Sequence, residues 1–391
     1  MTFVRVLAFL VLACGAAHAQ PVQLGMDHAV AGPVEDEPPD IELVTLGVGE
    51  RIFEKFGHAA ICLRYHDAGL IPVCFNYGVT DFDAGAALVY RFLRSDQRFW
   101  VEAESMGSLV GFYTYEDRDI WAQTLPLSAA GKRAIEAKLW SDLDEKNRYY
   151  LYDHFFDNCT TRIRDMIDRA SGGVLRAGSD EPFPLTFREL GARGLASAEP
   201  LVAIADFVLG RALDATPTLY QAMFSPDVLR REVTLRFHAE PRLLYKRSGP
   251  EFPHQGGTGR WKFILVAALF ALPLLLAQWR RRFERIALVA ATLYLTLWGM
   301  IIYALVLGSS LPGIRWNEVA FVLMPFDLLL PVLSIPRRRT YAQLRVVLLL
   351  AVSALTAIGV FHQPLWVPIL TAIIPLAIIA FDLPHGLKRS T

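Results

Sequence analysis

Cys159 lies in "YDHFFDNCTTRIRD", where a polar turn enters a helix. A thiol in the first turn of a helix meets backbone N–H groups with no intrahelical partner and the positive end of the helix dipole. Both favour the thiolate. The same N–H groups can hold an oxyanion. His58, in "EKFGHAAICLRY", can take the thiol's proton from a neighbouring strand, and Asn76, in "CFNYG", can orient the imidazole. That is the division of labour of a Cys-His-Asn site, and its chemistry is acyl transfer through a covalent intermediate. His154 and Asn158, close to the cysteine in sequence, are accessory candidates. The bland alternatives are a hydrogen-bonding histidine at a strand start and a small core cysteine. No His/Cys/Asp cluster has metal-ligand spacing, so neither a metal nor another cofactor is expected.

These residues need elements to carry them. "GHAAICLRYHDAGLIPVCFNYG" reads as a β-hairpin with two apolar runs around His66-Asp67-Ala68-Gly69. With Ala68 at its centre, Cys62 opposes Cys74, Ala60 opposes Asn76 and His58 opposes Gly78. Side chains alternate along a strand, so His58, Ala60, Cys62, Cys74 and Asn76 share one face. Opposed Cβ atoms come close enough for a Cys62–Cys74 bridge, and two buried free thiols fit the pattern equally. Either way Cys159 is the odd thiol. Ser128–Glu145 reads as an amphipathic helix with Ile135, Leu139 and Leu143 on its apolar stripe. A second helix starts at Asp157 or Asn158 as N-cap, runs through Ile163, Met166, Ile167 and Ala170, and stops at Gly172-Gly173.

Composition bounds the rest. The chain has 391 residues with 39 basic and 39 acidic side chains, a balance that gives no reason to expect nucleic acid as a partner. Residues 1–19 read as a signal peptide, with Arg5, an apolar run and Ala17-His18-Ala19 as cleavage site. Cys14 is either discarded with it or lipidated at a poor lipobox. A leader follows at 20–40, an outer thiol domain at 41–245 and a Gly/Pro-rich linker at 246–260. Five apolar segments (Trp261–Gln278, Ile286–Gly308, Val319–Ile335, Val346–Val360 and Pro364–Ala380) predict a transmembrane domain over 261–382, with a cytoplasmic tail at 383–391. Arginines fill the loops at 280–285 and 337–345, which places those loops in the cytoplasm and the 41–245 domain outside. Asp327 sits within the third apolar segment, as an intramembrane functional group or as a packing residue held in the bundle.

"EKFGHAAICLRY…CFNYGVTDF" followed by "YYLYDHFFDNCTTRIRD" resembles the periplasmic domain of the Lnb-type lipoprotein N-acyltransferases, and the likeness extends through "LGRALDATPTLYQAMFSPDVL". The resemblance implies an α+β fold of the permuted papain-like (NlpC/P60-like) kind, followed by an all-α transmembrane bundle in the bacterial inner membrane. It implies Cys159 as nucleophile and His58 as base, with phospholipid and diacylated lipoprotein as substrates. Asn317, in "RWNEVAFVLMPFDLLLP", matches the family's asparagine-containing segment at the outer membrane face. Two rivals use the same residues differently: a membrane-anchored cysteine peptidase or amidase acting on cell-wall peptides, and a non-enzymatic envelope protein.

Overall fold

The runs Asp40–Leu46 (β1), His58–Arg64 (β2) and Val73–Val79 (β3) are apolar on both faces, and both faces are covered in the folded chain. A computed structural model describes residues 37–67, 69–253 and 257–381. The signal peptide, Cys14, most of the leader and the cytoplasmic tail lie outside the described residues. Two compact units result. The first is built around a seven-stranded sheet, and the second takes Leu185–Thr216 together with the chain from Pro253 onward.

The first unit is α+β. Its sheet adds Arg98–Ser105 (β4), Ile120–Thr124 (β5), Tyr149–Leu151 (β6) and Arg242–Tyr245 (β7), in the order β6-β4-β3-β2-β1-β5-β7. Every described pairing is antiparallel. The hairpin has the expected register, with Ala60 opposite Asn76 and Cys62 opposite Cys74. The two cysteines are bonded to each other. Cys159 is the free thiol among the described residues.

One sheet face is covered by the helix Met106–Tyr115, capped by Ser105, whose Oγ accepts from the Ser108 N–H at 3.0 Å. Met106 and Leu109 pack there on Val44, Ala60, Cys62 and Cys74. The sequence pattern did not single out this helix, because it is apolar around most of its surface. The other face carries Ala129–Asp142, Cys159–Ala170 and Pro226–Phe237. The first two match the expected helices, with Ser128 as the first cap and Asn158, not Asp157, as the second. Ile163 and Ile167 are fully buried, and each contributes about 1.5–3 kcal/mol by leaving water. Phe75 meets Trp140 edge-on, and the Tyr77 hydroxyl donates to Asp142 at 2.7 Å. Gln123 ties Pro226–Phe237 to the sheet through the carbonyls of Arg230 and Ala239 and the Thr234 hydroxyl.

The second unit is helical. Arg260–Arg280, Glu284–Gly308 and Ile335–Ala357 are long and apolar enough to cross a membrane, and Trp366–Ala380 is a shorter apolar helix. The expected span Val319–Ile335 is not one helix. It breaks into the 3-10 turns Glu318–Phe321 and Pro325–Leu329, preceded by the short helix Pro312–Arg315. Pro325 and Pro331 each remove an N–H and clash with the preceding turn, so an apolar run of spanning length does not become a continuous helix. The broken backbone packs against the helix Glu284–Gly308 at Gly299. A Cβ there would lie 2.6 Å from the carbonyl carbon of Met324, an approach that only glycine allows.

Candidate active site

Asn158 starts the site. Its side chain accepts from the Thr161 N–H at 2.8 Å, and the Thr161 hydroxyl accepts from the Asn158 N–H at 2.8 Å, a reciprocal capping box. Its Nδ2 donates to the carbonyls of His154 (2.8 Å) and Phe224 (3.1 Å), which fixes the turn before the helix. Asn158 is therefore a buried cap. It sets where Cys159 sits and leaves the N–H groups of Cys159 and Thr160 without an intrahelical acceptor.

Gly78 makes room for the thiol. The β3–β4 register shifts between Tyr77 and Val79, and Gly78 takes φ +91° at that bulge. A Cβ at Gly78 would lie 3.5 Å from the Cβ of Cys159. The strand end is bare of a side chain where the helix N-terminus approaches it.

Cys159, His58 and Asn76 come together as their positions in sequence suggested. His58 Nε2 lies 3.1 Å from Asn76 Oδ1. An amide oxygen can only accept, so Nε2 carries a hydrogen and Nδ1 is the ring nitrogen left for the thiol. Burial pushes the Cys159 thiol up. Attraction to His58, a hydrogen bond with its ring, the Ala59 N–H and the Thr160 hydroxyl outweigh burial and bring the thiol pKa down to about 7. The Thr160 hydroxyl is 3.7 Å from the sulfur. Burial pulls His58 down, but the Cys159 sulfur more than offsets this and raises His58 above its ordinary value. The ring of Tyr113 stacks on His58 with centroids 6.2 Å apart. The pair is arranged to reach thiolate and imidazolium near neutral pH.

Glu104 extends the chain of hydrogen bonds and was not anticipated. Asn76 Nδ2 donates to Glu104 Oε1 at 2.7 Å, which fixes the amide so that its oxygen faces the imidazole. Burial raises the Glu104 carboxyl pKa, and the bond from Asn76 opposes that rise. The signal was present in the hairpin face, but β4 had to be paired with β3 before Glu104 could be placed diagonally from Asn76. Glu104→Ala frees the amide to rotate. It is expected to lower the rate of Cys159 acylation by about tenfold to a hundredfold, the cost of leaving a buried amide donor unpaired. Single-turnover kinetics at pH 7 measures it.

His154 has a different role. Burial lowers its pKa to about 4, so it is neutral at pH 7. Its ring packs on Phe56, Phe155 and Phe224, and its Nδ1 is 3.5 Å from the Tyr152 hydroxyl. Arg164 and Asp165, both in the motif, clamp the Tyr220 segment. Arg164 Nη1 donates to the Tyr220 carbonyl at 2.9 Å, and the Tyr220 hydroxyl donates to Asp165 at 2.7 Å. In the second unit, Asn317 is a buried cap. Its Nδ2 donates to the carbonyls of Phe207 and Val208, and its Oδ1 accepts from the Val319 N–H. Asp327 is fully buried, with Arg345 on both carboxylate oxygens and the Tyr341 hydroxyl at 2.9 Å. Neither residue has a free polar group to offer a substrate. Among the described residues no group of His, Cys, Asp and Glu is arranged to hold a metal ion.

Comparison with known proteins supplies the family. No curated protein and no solved structure matches the chain. Residues 36–193 match the family described as the Lnb N-terminal periplasmic domain. That match spans His58, Asn76, Glu104 and Cys159, so the segment that holds the site belongs to the Lnb-type family.

Proposed function

We propose that the protein moves a fatty acyl chain from a phospholipid to the N-terminal cysteine amine of a diacylglyceryl lipoprotein, at the outer leaflet of the bacterial inner membrane. The observation that carries the reading is the Cys159 thiol, held near pKa 7 by an imidazole that Asn76 and Glu104 orient. In the first half-reaction the sulfur attacks the phospholipid ester carbon and a C–S bond forms. The tetrahedral intermediate collapses, and the leaving lysophospholipid alkoxide takes the proton held by His58. In the second, the lipoprotein amine attacks the thioester. His58 takes the amine's proton, and the thiolate leaves.

Exposed apolar side chains on the segments that flank the site residues in sequence fit a lipid donor. Ile52, Phe53, Phe82 and Phe156 are exposed on segments close in sequence to His58, Asn76 and Cys159, and Phe53 pairs with Phe82 at 5.4 Å. The exposed Phe53–Phe82 pair offers an acyl chain an apolar surface. The apolar helices of the second unit supply an anchor. In a host depleted of its own N-acyltransferase, expression of the full chain is expected to add a third acyl chain to lipoprotein N-termini, read by mass spectrometry. Cys159→Ala abolishes it. Unchanged lipoproteins together with cleaved muropeptides would replace this reading with cell-wall hydrolysis.

A further inference from the structure

Tyr150 lies on β6, near Gly78 and Cys159, with a hydroxyl that no described group uses. The residue is 8% exposed, and among the described residues its hydroxyl is buried with no hydrogen-bond partner. A buried donor left unpaired is costly, so its persistence calls for an acceptor that is present at some other stage. The space at Gly78 says where that acceptor would be. The position of a Gly78 Cβ is 3.8 Å from the Tyr150 hydroxyl and 3.5 Å from the Cβ of Cys159. The hydroxyl and the Cys159 side chain thus border the same gap, which the missing side chain of Gly78 leaves open.

We propose that Tyr150 donates its hydroxyl hydrogen bond to the oxyanion formed when an acyl carbonyl is attacked by Cys159, together with the backbone N–H groups at the start of the Cys159–Ala170 helix. When the C–S bond forms, the carbonyl π pair moves to oxygen. The negative charge then sits within reach of the helix N-terminus and the phenol. It returns to the carbon when the alkoxide leaves, and again when the thiolate leaves after the amine has attacked the thioester. Burial raises the Tyr150 pKa well above its ordinary value, so the group remains a donor. The Arg162 guanidinium lies 3.6 Å above the Tyr150 ring and is itself held by Asp157 at 2.7 and 2.9 Å. That cation withdraws charge from the ring and strengthens the phenol as a donor. The ring is fixed before an acyl group arrives, so the donor needs no reorganisation in the transition state.

This inference rests on acyl-thioester chemistry at Cys159, and its test separates the two. The full chain in detergent is given a p-nitrophenyl acyl ester, a donor that needs no lipoprotein. Tyr150→Phe is expected to lower kcat by about a hundredfold or more with KM little changed, the loss of one oxyanion donor. Iodoacetamide alkylation of Cys159 forms no oxyanion, so its rate and pH midpoint are expected to stay within twofold of wild type. That unchanged alkylation also shows the variant is folded. Turnover within threefold of wild type overturns the proposal. So does an equal loss in turnover and alkylation, which would make Tyr150 a positioning group for the sulfur. Wild-type ester turnover without lipid transfer would sink the lipoprotein reading alone. Wild-type protein inert to the ester would sink both.

Discussion

Replacing His58 with alanine is expected to lower acyl transfer by about 10⁴-fold or more, as removal of the base does in other nucleophile–imidazole sites. Part of that loss is ionisation and can be measured alone. In the folded chain the thiol titrates at about 7 because His58 outweighs burial. Without the imidazole, burial has only the Ala59 N–H and the Thr160 hydroxyl against it, and the pKa moves back toward or above the ordinary thiol value. A thiolate fraction of about one half at pH 7 then falls to about one per cent, roughly a fiftyfold drop in alkylation rate. The sign is fixed: reactivity rises with pH, with its midpoint near 7 in wild type and near 9 or higher in His58→Ala. Mass measurement of the alkylated Cys159 peptide across pH 5 to 10 reads both. A midpoint that does not move would mean the imidazole is not coupled to the sulfur. The remainder of the loss is proton delivery to the leaving oxygen, which alkylation does not need.

Much of this site could be read from the chain because it depends on local rules. The hairpin register follows from where its turn sits, and that register placed Asn76 beside His58 and Cys62 against Cys74. The helix start at Asn158 follows from capping chemistry. Glu104 and Tyr150 were out of reach because they arrive from β4 and β6, whose places in the sheet depend on long-range pairing. His154 shows a different limit of the sequence. Closeness in sequence to a nucleophile says nothing about which way a side chain turns, and this one turns into Phe56, Phe155 and Phe224. The third apolar segment misled because hydropathy counts side chains and takes no account of missing backbone donors. Pro325 and Pro331 decide its shape.

That broken segment has a price, and Arg345 is where it is met. Irregular backbone among apolar helices leaves carbonyls that neither water nor a continuous helix can satisfy. Arg345 Nη2 donates to the Val322 carbonyl at 2.7 Å, and the same guanidinium holds Asp327 at 2.9 and 3.1 Å. Arg338 acts similarly on the carbonyls of Leu330 (2.9 Å) and Leu333 (3.1 Å). Replacing Arg345 with methionine leaves a buried carboxylate without its cation and frees a backbone acceptor. The expected cost to the second unit is about 3–5 kcal/mol, or a fall of about 10 °C in its melting transition for the full chain in detergent. Pairing Arg345→Met with Asp327→Leu removes both charges. That double variant is expected to recover most of the loss, because the penalty of a lone buried ion exceeds the net worth of the pair. If the single variant melts with wild type, the Asp327 side chain does not depend on the Arg345 cation. If the double variant is no better than the single one, the bond to the Val322 carbonyl, and not the ion pair, is what holds the broken segment to the helix Ile335–Ala357.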